Sequence, residues 1–287
     1  MGQNSKYPHG AIAFKFDDQE EETTLLDIEW TMGRTGVLTP VAVFDEVELD
    51  GTSVERASLH NISHMEKVNI GGKGSNVKVV KSNQIIPQIV EVIEKKGEFT
   101  VPTKCPYCKE DTEIKMDNSS KILICSNEDC CEKLVMNLVH YVSRPCMNIK
   151  GLSEQLLRTF VNHGLVASAI DLYSLYKYED YLSSIDGLGK KSVKAIIKNI
   201  EKSKNVNLSK FINSLGIQMI GITTSKEISL NVKNIKSFLS MSFEDWVDII
   251  GEAKAKSLTN YLSKNMLYIS LLMDKLFIED ERLEQTS

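Results

Sequence analysis

Two close cysteine pairs, Cys105-Pro-Tyr-Cys108 and Cys125-Ser-Asn-Glu-Asp-Cys130, lie sixteen residues apart in a chain of 287. Four thiolates at this spacing suit one tetrahedral zinc at about 2.3 Å, and a site closed by four protein ligands is structural rather than catalytic. Pro106 fixes one backbone angle of the first ligand turn, while Asn127 and Asp129 can support the second through side-chain-to-backbone bonds. Two disulfides are the competing use of the same residues. No secretory leader precedes them and a chain this long rarely needs covalent staples, so a reducing cytoplasm is the expected compartment. Cys131 follows the fourth ligand directly and could replace it; turn geometry favours Cys130. Cys146 is expected as a small buried apolar residue.

A second constellation is made of glycines and lysines. In Ile185-Asp186-Gly187-Leu188-Gly189-Lys190-Lys191-Ser192 the two glycines let backbone approach a ligand, and the helix that follows offers unpaired N–H groups at its positive end. Those are the requirements for holding a phosphate. Lys190, Lys194, Lys198 and Lys202 then recur every four residues, a stripe on one helix face that suits a polyanion, although a solvated face would look the same. Related turns occur at Lys150-Gly151-Leu152-Ser153, at Leu215-Gly216-Ile217-Gln218-Met219-Ile220-Gly221 and at Ile250-Gly251-Glu252-Ala253. Their separation of about 30 to 36 residues fits small helical units stacked on a shared core. The first turn has no second glycine, and Glu252 stands in the fourth where an anion would sit. Gly187, Gly189, Lys190, Lys194, Gly216 and Gly221 are therefore the expected phosphate contacts.

These sites need elements to hold them. Short β-branched runs at 25–30, 39–44, 77–80 and 85–93, broken by 33–36, Asp50-Gly51 and 71–74, predict a small barrel or sandwich over 23–101. The cysteine segment 102–133 is expected as a separate module behind Pro102. From 134 to 273 the apolar residues recur at three and four, as in Leu134, Leu138, Tyr141 and Val142, which predicts helices; 274–287 reads as a charged tail. The chain is thus multidomain: a small all-β barrel, a four-cysteine zinc finger, then an all-α domain of tandem helix-hairpin-helix units. No apolar run reaches membrane-spanning length. The net charge of −5 is uneven: residues 1–100 hold 10 basic and 16 acidic side chains, a balance of −6, which leaves +1 for 101–287. Any nucleic-acid contact must come from local patches.

In order along the chain, Ala11-Ile-Ala-Phe-Lys15-Phe16, Asp27-Ile-Glu-Trp-Thr-Met-Gly-Arg34-Thr-Gly-Val-Leu-Thr-Pro-Val-Ala42, Ala57-Ser-Leu-His-Asn61, Ile86-Pro-Gln-Ile-Val90, the four cysteines, His140-Tyr-Val-Ser-Arg144 and the hairpins resemble bacterial NAD-dependent DNA ligases. The resemblance covers almost the whole chain. It implies that 1–22 end an adenylation domain, with Lys15 facing the adenylate phosphate of the NAD-derived cofactor. It implies further that 23–101 form an oligonucleotide-binding (OB) barrel. Nicked double-stranded DNA is the implied partner, zinc the structural metal, and NAD and magnesium belong with the adenylation domain. The family's nucleophile is the lysine of a Lys-x-Asp-Gly motif, and this sequence contains none: Glu48 and Ser184 stand two places before the aspartates of its two Asp-Gly pairs. The segment for the nicotinamide end and a terminal BRCT-like domain are expected to be missing too. The chain is therefore expected to hold DNA without adenylating itself, possible partner chains including a separately encoded adenylation domain.

At Lys81-Ser82-Asn83-Gln84 the family usually has Arg-Arg-Ala-Gly-Asp; Lys81 keeps a positive charge, but Gln84 cannot act as a carboxylate. Arg34, between two glycines, suits a DNA phosphate, as does Lys81. Lys73 and Lys78 are weaker candidates, because barrel surfaces carry lysine against edge pairing. His60 and Asn61 are expected to tie a turn together. Two other classes compete. A standalone, non-enzymatic DNA-binding protein derived from a ligase would use the same surfaces. A helical-hairpin glycosylase would need an aspartate after the Gly187 turn, where the next acid is Glu201.

Overall fold

The structure is a computed structural model; it describes residues 19–82, 86–232 and 234–280. Lys15 with its strand, and Asn83 to Ile85 with Gln84, lie outside the described residues. The chain divides into two units, 1–127 and 128–287.

Strand parity builds the first unit. In β1 (Glu20–Met32) Thr23 and Leu25 are buried, and a bulge between Leu25 and Asp27 then shifts the pattern so that Trp30 and Met32 turn inward. One extra residue reverses the inward parity and bends the strand. The strand can therefore serve two neighbours. Its first half pairs antiparallel with β4 (Asn76–Ser82), from Glu20 with Val80 to Thr24 with Asn76. Its second half pairs with β2 (Val37–Leu49), where Leu38, Pro40, Ala42 and Phe44 face inward. β3 (Thr52–Ser58) follows β2 through Asp50-Gly51, and β5 (Ile86–Glu94) pairs with β4. β3 lies against β5, which brings the order β3-β2-β1-β4-β5 round into a barrel. A short helix, α1 (Ile62–Lys67), stands between β3 and β4 and buries Ile62 and Met65. Asn61 is its N-cap and accepts from the His64 N–H at 2.9 Å, so Asn61 does tie the turn.

The cysteine segment is less separate than its sequence suggests. β6 (Thr112–Asp117) and β7 (Ser120–Cys125) form a hairpin, and β7 pairs with β2 at Val37–Ile124 and Leu38–Leu123. The Lys121 N–H donates to Ser63 Oγ at 2.8 Å, and its ammonium pairs with Glu66 at 2.8 Å. The hairpin of the cysteine segment thus extends the barrel sheet.

The second unit is helical: α2 (Cys131–Val142), α3 (Glu154–Asn162), α4 (Ala169–Leu172), α5 (Glu179–Leu182), α6 (Lys190–Ser203), α7 (Leu208–Ser214), α8 (Ile222–Asn231), α9 (Ile235–Ser240), α10 (Phe243–Ile250) and α11 (Glu252–Met273). Each longer helix buries one stripe, such as Val135, Leu138, Tyr141 and Val142 in α2 or Val193, Ile196 and Ile200 in α6. All of these but Val135 join Phe160, Phe211 and Trp246 in one continuous core. Each large apolar side chain fully buried there contributes about 1.5–3 kcal/mol. The four expected turns each fall between two helices. One expectation is corrected: Phe277–Glu279 form β9, paired in parallel with β8 (Asn205–Asn207), so the start of the charged tail is part of the fold. No helix among the described residues is long and apolar enough to cross a membrane.

Arg158 of α3 reaches Glu132 of α2 with both guanidinium arms and also pairs with Glu154 at 2.9 Å. The Glu132 side chain is only 3% exposed, which makes Arg158 its required counter-charge. Hydrogen bonding to Glu132 also holds the Arg158 guanidinium even more firmly protonated than usual. Arg158→Ala would strand that carboxylate and should destabilise the helical unit by about 3 kcal/mol. An unchanged urea midpoint would show that the pair does not join these helices.

Candidate zinc centre and nucleic-acid interface

The first cysteine pair sits on a tight turn: the Lys109 N–H donates to Cys105 O at 3.0 Å, Lys109 adopts φ 63°, and the Cys105 N–H donates to Glu110 O at 2.7 Å. The second pair starts at the end of β7, where the Cys125 N–H donates to Gly36 O at 3.0 Å, and finishes at Cys130, the N-cap of α2. The sulfurs of Cys105, Cys108, Cys125 and Cys130 all lie within 4.8 Å of one another. Cys108 and Cys125 are 3.6 Å apart, far beyond a disulfide bond and close to the ~3.8 Å edge of a tetrahedron with 2.3 Å zinc–sulfur bonds. None of the six cysteines is joined in a disulfide. Burial pushes the Cys125 thiol up to about 11, and the thiols of Cys108 and Cys105 add to the rise. Only a cation would make thiolates favourable in such a place. The four residues fit zinc, and Cys131 is exposed and outside the cluster. Cys146 is fully buried, its sulfur 3.6 Å from His140 Nε2 and 3.2 Å from Asn213 Nδ2.

The helical turns share a backbone form. Gly151, Gly187 and Met219 occupy equivalent places with φ of 92°, 78° and 65°, each followed by a buried Leu152, Leu188 or Ile220 and then by an N-cap residue. The Leu188 N–H donates to Ile185 O at 3.0 Å and the Ile220 N–H to Ile217 O at 3.1 Å, so the second and third turns are closed alike. At the first turn Ser153 caps α3 by accepting from the Leu156 N–H, and a Cβ on Gly151 would come within 3.2 Å of Ile196. That turn is occupied with packing. At the second and third, the N-caps are Gly189 and Gly221, no side chain caps α6 or α8, and a Cβ on either glycine would meet nothing within 4 Å. The first-turn backbone donors of these two helices, which no helical carbonyl can reach, therefore have no side-chain partner at the N-cap. Gly216, expected beside Gly221, instead ends α7 in the left-handed region. Sequence reading missed Met219 as the counterpart of Gly187; aligning the turns on Leu188 and Ile220 would have found it.

Lys190, Lys194, Lys198 and Lys202 are exposed on α6, opposite Val193, Ile196 and Ile200, and none of them makes an ion pair with a described residue. In the barrel, Arg34 is half-buried in the turn 33–36, which the Gly36 N–H closes on Gly33 O at 2.9 Å. Lys73 is exposed, and Lys78 is bound to Glu20 and Glu91, at 3.1 and 3.4 Å. Lys81 requires a correction: it is 7% exposed and donates to Leu49 O at 2.8 Å, so its ammonium satisfies a carbonyl inside the barrel instead of meeting a phosphate.

Comparison with known proteins places this arrangement. The family model for the NAD-dependent DNA ligase OB-fold domain matches residues 22–100. DNA ligases of Ruminiclostridium cellulolyticum and Lachnoclostridium phytofermentans are each 38% identical, over 100% and 98% of this chain and 44% of their own length. The DNA ligase of Fusobacterium nucleatum is 38% identical over 92% of this chain and 38% of its own length. The chain therefore spans less than half the length of these relatives.

If Cys130 is the fourth ligand, native mass spectrometry should find one zinc in Cys131→Ser and none in Cys130→Ser after the same chelator challenge. The reverse pattern would move the ligand to Cys131. Residues 22–100 thus belong to the NAD-dependent DNA ligase OB-fold family, and over nearly its whole length the chain is similar to a portion of bacterial DNA ligases.

Proposed function

We propose that this chain is the DNA-holding part of an NAD-dependent DNA ligase and grips nicked duplex DNA while a 5′-phosphate and a 3′-hydroxyl are joined. The observation that carries this reading is the second hairpin. An uncapped helix start with open glycines lies at the head of four exposed lysines that pair with no described acid, on a chain similar to ligases over its length. Phosphates carry no base information, so such a grip is independent of sequence. Gly189 and Gly221 allow close approach, the backbone N–H groups of α6 and α8 donate to the anion, and Lys190 and Lys194 neutralise it. Arg34 adds a barrel contact. Zinc, held by Cys105, Cys108, Cys125 and Cys130, fixes the loops around it and takes no part in bond making.

In the full reaction a lysine is adenylated by NAD, AMP passes to the 5′-phosphate, and the 3′-hydroxyl attacks with AMP leaving. Within these 287 residues no Lys-x-Asp-Gly run occurs. Lys15, NAD and magnesium belong to the adenylating step, which a separate chain could supply, in a reducing cytoplasm. These residues alone should therefore gain no AMP when incubated with NAD and magnesium, as read by intact mass. An AMP adduct on a lysine would contradict that part of the reading.

The grip is tested by reversing charge on the stripe. Lys190→Glu with Lys194→Glu should weaken binding to every duplex alike and flatten the dependence of log K on log salt by about 2, since each lost phosphate contact removes roughly 0.9. Unchanged affinity and slope would remove α6 from the interface.

A further inference from the structure

The second and third hairpins share one backbone turn but offer opposite chemistry at its tip. In the second, the left-handed position is Gly187 and the first helical residue is Lys190. In the third, the corresponding residues are Met219 and Ile222, and they are 55% and 61% exposed. A methionine at φ 65° carries a steric strain that a glycine would not. Nothing in the fold compensates through packing, because the side chain projects outward while Ile217 and Ile220 on either side are buried.

The turn that carries this pair is braced. Ser257 Oγ of α11 donates to Gln218 O at 2.6 Å, which fixes the residue before Met219. Beside it is an open depression of about 390 Å³ lined by Gln218, Lys256, Ser257, Asn260 and Lys264. Lys256 and Lys264 are exposed, two turns apart on α11, and neither forms an ion pair with a described residue. An apolar tip beside free ammoniums fits an occupant that is anionic along its edges and apolar between them.

We infer that the third hairpin meets duplex DNA in a different manner from the second: Met219 and Ile222 press on the sugar and base surface of a groove while Lys256 and Lys264 neutralise the adjoining phosphates. This rests on the proposed DNA-holding role and adds to it a contact insensitive to salt. Apolar side chains lodged against bases or sugars hold by area and shape, whereas ammoniums on phosphates hold by counterion release.

The two halves give different readouts in fluorescence anisotropy with a nicked duplex and the zinc-loaded chain. Met219→Gly keeps the left-handed turn and relieves its strain, so thermal stability should hold or rise. Affinity should fall about fivefold, from the lost apolar burial, with the salt slope unchanged. Ile222→Thr should act in the same direction. Lys256→Glu with Lys264→Glu should lower both affinity and slope. Wild-type binding with Met219→Gly equally tight would overturn the inference, as would a Met219→Gly effect that appears only through the slope. A wild-type chain that binds no duplex at all would overturn the DNA-holding role first and the inference with it.

Discussion

A helix starts with backbone donors that its own carbonyls cannot reach, and whatever stands just before it decides how they are satisfied. In the helical unit Ser153, Asn234 and Ser242 each spend a side chain on that task, at α3, α9 and α10. Gly189 and Gly221 do not. Glycine in that place forfeits only a few tenths of a kcal/mol; α2, α5, α7 and α11 also start without a side-chain cap, but α6 and α8 share one geometry, starting from turns closed by the same hydrogen bond. A phosphate at these positions would replace the cap. Binding and folding thus draw on the same unmet donors, which is why the glycines matter more to the account than the lysines. A lysine stripe can be a solvated face, whereas a helix start left open twice, in one geometry, needs another explanation.

That explanation requires the turns to be held still. The core formed by Phe160, Phe211, Trp246 and the stripes of α2 and α6 fixes the helices, and the buried Glu132 with Arg158 ties α2 to α3. In the barrel unit the same rigidity comes from parity. The bulge after Leu25 lets one strand pair with β4 and then β2, and the pairing of β7 with β2 extends that sheet to Cys125. Zinc at the four sulfurs would lock the loops that this sheet brings together.

Much of this was legible in the residues. The cysteine spacing marked the four residues whose sulfurs cluster, and three-and-four periodicity with glycine turns marked the helix pairs. The rest depended on long-range pairing that local pattern does not carry. Nothing in 120–125 announces that it will join β2, and nothing in Phe277 to Glu279 announces a partner at Asn205 to Asn207. Lys81 is a different kind of miss. It continues the inward parity of Val77 and Val79, so alternation placed it inside, but its charge argued for the surface; a hydrogen bond to Leu49 O makes burial tolerable. Met219 was hidden because a left-handed position is recognised by glycine, and here the turn keeps its shape without one.

Equilibrium binding of the zinc-loaded chain to nicked duplexes of unrelated sequence, followed across a salt series, tests the central claim most directly. The account predicts tight binding at low ionic strength, similar for every sequence, with log K falling linearly in log salt. No measurable binding at low salt, or binding confined to one sequence, would contradict it.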